Sequence, residues 1–210
     1  MWFLVVVLAG GTVLIGAVAA DRRAQRKATG AAEPAPLRNV VEVDRHIPVY
    51  LTQDQVDAMP PPAAGKPQDL PRCGEGFAFG HASADFATNP AGASLDEPRV
   101  LIIDGPVASM RELLAPLVYA TVEHPLAIVA ADWHPEVLAT LAANRRALEL
   151  PVLAARAAEP DRHRLAELLG IERLTELDLQ SGYLPASAIG LASHWSSTAS
   201  KTWVKPQPEA

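Results

Sequence analysis

Three short apolar runs, each followed by a stretch of helical periodicity, constrain this chain more than any other feature. Arg99-Val100-Leu101-Ile102-Ile103 is apolar and β-branched at successive positions, as a strand buried on both faces must be, and Asp104-Gly105-Pro106 ends it. Ser109-x-x-Glu112 fits a capping box. Met110, Leu113, Leu114, Leu117, Val118 and Thr121 then recur at helical spacing as far as His124-Pro125. Leu126-Ala127-Ile128-Val129-Ala130 is the next predicted strand. Asp132-Trp133-His134-Pro135-Glu136 opens a second helix, with Pro135 in the first turn, where its missing N–H costs nothing; Val137, Leu138, Leu141 and Ala142 give its apolar face. Pro151-Val152-Leu153-Ala154-Ala155 is a third strand. Asp161 is placed to cap a third helix whose Leu165, Leu168 and Leu169 face inward before Gly170 stops it. Strand and helix alternate three times, which predicts an α/β fold with a parallel sheet under helical cover. A last strand is expected at Lys201-Thr202-Trp203-Val204, after a polar turn at Ser193-His194-Trp195-Ser196-Ser197.

Ahead of this region the chain changes character twice. Residues 2–20 (Trp2 to Ala20) carry no charge, and as a helix they would span roughly 28 Å at about 1.5 Å per residue, close to the thickness of a bilayer's hydrocarbon core. The basic residues Arg22, Arg23, Arg26 and Lys27 follow the run and none precede it. The expectation is therefore a single-pass anchor with its N-terminus out and the globular part in the cytoplasm; a cleaved signal peptide, suggested by Ala17-Val18-Ala19, would place its positive charge first. From Ala28 to about Arg72 prolines such as Pro34, Pro36, Pro60, Pro61, Pro62, Pro67 and Pro71 prevent long regular elements, leaving a semi-stiff spacer. Within it, Val40–Val43 and Ile47–Leu51 read as short strands and Thr52–Ala58 as a helical turn. The organisation predicted is an anchor at 1–21, a basic and Pro-rich linker at 22–72, one globular domain at 73–205 and a tail at 206–210.

Charge and chemistry exclude several functions. The net charge is −6 and Lys and Arg are scattered beyond residue 27, so no basic stripe exists for nucleic acid. The single cysteine, Cys73, has no partner within the chain for a disulfide. Asp132, His134 and Glu136, with His124 upstream, suggest a metal. Residues two apart on a helix point to different faces, however, so capping and dipole complementation by Asp132 and Glu136 are the reading. Asp104 ends a parallel strand, where α/β enzymes bind ligands, yet neither a nucleophile motif nor a glycine fingerprint accompanies it, and a turn-forming Asp-Gly accounts for it. His163 and His194 have no sequence partner, and nothing in the sequence orients His194 beside its neighbouring serines. No catalytic site, cofactor or metal is expected.

The segment from about Glu75 to Val204 resembles the polypeptide-binding apical domain of group I, GroEL-type chaperonins. The resemblance is carried by collinear fragments: Glu75-Gly76-Phe77 with Gly80-His81-Ala82-Ser83-Ala84-Asp85-Phe86 and Asn89-Pro90, then Leu95 to Gly105, Arg111-Glu112-Leu113-Leu114, Pro125 to Ala130, Leu138 to Asn144, and Asp161-Arg162. It implies a layered sheet-and-helix domain behind one transmembrane helix, and an apolar groove between two helices that holds a polypeptide client or partner protein. The groove positions it implies are Leu114 and Leu117 on the first helix and Leu138, Ala142 and Ala143 on the second, with His81, Asp85 and Phe86 at the rim. Alanines where larger aliphatic residues are usual make the groove shallower, each forfeiting about 1–2 kcal/mol of apolar contact. His81 and Asp85 stand where the family has tyrosines, which implies a narrower range of clients. The family's nucleotide signature and any phosphate-binding loop are missing from this sequence, so neither nucleotide binding nor an ATPase cycle is expected. Some of Leu113, Leu114, Leu117 and Val118 should stay exposed, because together they cover more than one helical stripe. The expected function is a membrane-tethered, non-enzymatic protein-binding module; the alternative is a structural scaffold of a membrane complex, and an enzyme acting near Asp104 comes third.

Overall fold

The computed structural model describes residues 69–208 together with Gln55, Ala58 and Met59. The predicted anchor at 2–20 and the predicted strands at 40–43 and 47–51 lie outside the described residues. Gln55 and Ala58 are helical, within the predicted turn at 52–58. Among the described residues no helix is long and apolar enough to cross a membrane.

The three apolar runs form the parallel strands β4 (Arg99–Ile102), β6 (Leu126–Ala130) and β8 (Val152–Arg156), adjacent in that order. Every residue of β6 is buried, as expected of the central strand of a covered sheet. Before them come β1 (Glu75–Phe77), β2 (Gly80–His81) and β3 (Ala93–Asp96), and after them β9 (Ile189–Ser197) and β10 (Thr202–Pro206). The sheet runs β1-β10-β9-β4-β6-β8-β2, with β3 also on β9, and a separate parallel pair joins β5 (Pro106–Val107) to β7 (Asp132–Trp133).

Strand β9 replaces the polar turn expected at Ser193–Ser197. Its first part pairs with β4, its second part with β3, and β10 lies along the other edge. Trp195, Ser196 and Ser197 are all buried. Their polarity gave no strand signal, but the strand pairs along both edges, and Trp195 packs on Phe79 as a tilted pair with ring centroids 6.2 Å apart.

The helical cover also departs from expectation. The second crossover forms α2 (Pro135–Leu148), with Pro135 at its first position as expected. Its cap is His134, whose ring accepts from the Glu136 N–H, and not Asp132; Asp132 is extended in β7 and pairs with Arg156 at 2.9 Å. The first crossover holds only a 3-10 turn, Met110–Leu113, and one α turn, α1 (Leu114–Leu117). Its capping box forms, with Glu112 accepting from Ser109 N–H at 3.3 Å, but the helix predicted as far as Thr121 does not. Pro116 has no N–H for the residue 112 carbonyl and so breaks the ladder between the 3-10 turn and α1; it sits in the first turn of α1, where proline is tolerated. The third helix, α3 (Glu159–Leu169), starts ahead of Asp161, which sits in its first turn while Ala158 holds the cap position. Gly170 ends it in the left-handed conformation, φ 63°, as expected. A fourth, α4 (Glu176–Ser181), opens on a capping box between Thr175 and Asp178.

Candidate functional site

The connections from β4 to β6 to β8 carry α1 and α2, and the right-handed rule for parallel crossovers puts both on one face of the sheet. The eight positions of the expected groove and its rim divide sharply on that face. Leu114 is 63% exposed. Leu117 and Leu138 are partly buried and pack against the core, and Ala143 is half-buried. Ala142 is buried and Phe86 completely so, which removes Phe86 from the rim: the turn Ala84–Phe86 folds its ring into the core. Asp85 forms an ion pair with Arg146 of α2 and accepts from the Ser83 hydroxyl at 2.9 Å. His81 is half-buried, its Nδ1 3.4 Å from the Ser197 hydroxyl; burial, with Arg145 adding to it, lowers its pKa. Asp85 thus ties the turn after β2 to α2, while His81 meets the end of β9. Arg145 completes that clamp, donating to the Asp85 carbonyl at 2.5 Å.

What remains open is an apolar row on the first crossover. Val118, at the end of α1, is 78% exposed, and Val122, in the bend before β6, is 87% exposed. Sequence reasoning anticipated exposed apolar residues here but missed Val122, which lies past the end of α1. It also missed Leu177, 76% exposed on α4, which packs beside Met110–Leu113. The signal was present as Thr175-x-x-Asp178, a capping box ahead of Leu179. That box holds the Asp178 carboxyl below the usual range through hydrogen bonds from the Thr175 hydroxyl and N–H.

The chemically suggestive residues are engaged structurally. Asp104 receives Arg173 at 2.7 Å and lies 3.6 Å from the buried Arg162, so it fastens α3 and the segment before α4 to the end of β4. It borders an open cleft of about 540 Å³ with His163, Glu167 and Glu172. His163 pairs with Glu167 at 3.2 Å. His194 finds on β3 the partners that the sequence could not supply: Asp96 Oδ1 at 2.9 Å from Nδ1 and Ser94 Oγ at 3.5 Å from Nε2. These are the roles of a nucleophile, base and orienting group, but the Asp96 side chain is 92% exposed and its charge is solvated. Cross-strand pairing of β3 with β9 accounts for the three. Among the described residues no group of three or more His, Cys, Asp or Glu side chains is placed to hold a metal.

No family model matches the chain. A solved structure that it resembles is the chaperonin gp146 from the bacteriophage EL 2 (Pseudomonas aeruginosa), determined in the presence of ATP-BeFx. The TM-score is 0.49 at 14% identity, over 67% of this chain and 29% of that one.

Proposed function

We propose that this chain is a non-enzymatic polypeptide-binding module, tethered to a membrane by residues 2–20 with its globular domain in the cytoplasm, and without an ATPase cycle of its own. The observation that carries the binding role is the apolar row Leu114, Val118 and Val122, left in water on the crossover where the sequence resembles the chaperonin apical domain. Leu117 and Leu138 are only partly exposed, since both also pack on the core. The occupant these residues suit is an extended or helical segment that lays its apolar side chains against them.

Burying one Leu or Val side chain against a partner contributes about 1.5–3 kcal/mol, which is roughly tenfold or more in affinity. The test is fluorescence anisotropy of a labelled, permanently unfolded protein with the full chain in lipid nanodiscs. Leu114→Asp and Val118→Asp should each weaken binding by about tenfold while leaving the melting temperature nearly unchanged, because both side chains are exposed. Absence of binding, or binding indifferent to both substitutions, refutes the role. Reporter fusions placed after Lys27 test the topology, and an exported reporter would overturn the cytoplasmic assignment.

A further inference from the structure

We infer that β2 is a latch closing the end of the sheet onto the turn between β9 and β10, and that a proton on His81 releases it. Strand β2 is only Gly80 and His81, yet it is held from two sides. On one side it pairs with β8, Gly80 opposite Arg156 and His81 opposite Ala155, and the Ala82 N–H donates to the Ala154 carbonyl at 2.8 Å. On the other side the His81 N–H donates to the Thr198 carbonyl at 3.2 Å, and the Thr202 hydroxyl donates to the Phe79 carbonyl at 2.8 Å. The His81 ring meets the Ser197 hydroxyl at this second joint. Gly80 permits the close approach, since a Cβ there would lie 2.2 Å from the Thr198 carbonyl oxygen.

A charge on the half-buried ring would have to be held with much of its water removed. The groups around it do not compensate. Arg145 of α2 repels a second positive charge, and Ser197, which favours one, is outweighed by burial. Asp85 in the turn after β2 is taken by Arg146, and Arg156 of β8 pairs with Asp132 at 2.9 Å. Asp161 of α3 borders, with His81, an open cleft of about 630 Å³, and the turn itself adds only the exposed Lys201. Ala199 and Ser200 of the turn line the same cleft, so the turn has open space beside it. When the turn parts from β2, water reaches the ring and its proton affinity returns to the ordinary value. The latch is therefore closed above about pH 6.5, and its opening grows as pH falls below that.

The test is hydrogen exchange read by NMR on the full chain in nanodiscs, from about pH 7.5 to about pH 5, with each amide corrected for its intrinsic rate. Opening at the His81 amide should rise as pH falls, by up to about tenfold per pH unit, the limit for one linked proton. It should also stay at least about tenfold more frequent than at the Ile128 amide in the centre of β6, which reports loss of the whole sheet. His81→Gln keeps a neutral hydrogen-bonding side chain and should make opening at residue 81 independent of pH; retained protection at Ile128 confirms that the variant is folded. Opening that ignores pH in the natural chain, or an unaltered pH response in the variant, overturns the latch. Exchange at residue 81 no faster than at Ile128 overturns it as well, because acid would then unfold the domain instead of releasing the turn.

Discussion

The crossover between β6 and β8 carries a helix of 14 residues, whereas the crossover between β4 and β6 carries a 3-10 turn and a single α turn. Both segments show helical periodicity, and both open on a cap. The long helix sinks Val137 and Leu141 into the core and is clamped by Arg145 and Arg146. The short one anchors only Leu113 and Pro116 fully and leaves Leu114 and Val118 in water. Periodicity shows which residues would share a face if a helix forms. Pro116 breaks the ladder between the two turns, and the element that forms does not turn all of its apolar side chains inward. One crossover is therefore framework, and the other is exposed surface.

The largest expected effect contrasts these two roles. Leu141→Ala should lower the unfolding free energy by about 2–5 kcal/mol, because a fully buried leucine leaves a cavity. Leu114→Ala should change it by less than about 0.5 kcal/mol. Urea denaturation of the two variants measures both, and comparable losses would mean that the first crossover is also framework. A smaller effect is expected of Pro116→Ala, which restores the missing N–H. Helical signal in circular dichroism should rise and the amides of residues 116–121 should exchange more slowly, while stability moves by no more than about 1 kcal/mol, since proline also restricts the unfolded chain. If exchange in that stretch is unaltered, something other than the proline ends the helix.

The smallest effect is on pH dependence and probes the clamp beside the long helix. Burial, partly opposed by a hydrogen bond with Ser197 and aided by Arg145, holds the folded pKa of His81 below its ordinary 6.5, so the unfolded chain binds more protons between the two values. The associated stability is complete above about pH 6.5 and is lost as pH falls through the folded value. Thermal melts should therefore shift down between about pH 7.5 and about pH 5, and His81→Gln should flatten that part of the profile. A slope unaffected by the substitution would assign the titration to another group.

Much of the framework was legible in the sequence. The runs at 99–103, 126–130 and 151–155 were readable because a strand buried on both faces must be apolar throughout, and Pro135 and Gly170 mark helix ends by their own backbone preferences. Strand β9 was not readable, because Ser193, Ser196 and Ser197 carry no apolar pattern and the strand is supported by β3, β4 and β10. Two of the expected rim positions were not readable for a related reason. Phe86 and Asp85 have rim-like chemistry in the sequence, but packing turns the ring inward and Arg146 takes the carboxylate.

By itself, then, the sequence determined the parallel core, the order of its elements and the presence of excess apolar residues on the first crossover. These follow from local hydrophobic pattern and from residues with fixed backbone preferences. Only the tertiary structure decided which of those apolar residues face water, that His194 meets Asp96, and that Asp104 is bound by Arg162 and Arg173. Each of these joins residues far apart in the chain, and exposure or pairing at such a distance is set by where the sheet brings the elements together, which no local pattern encodes.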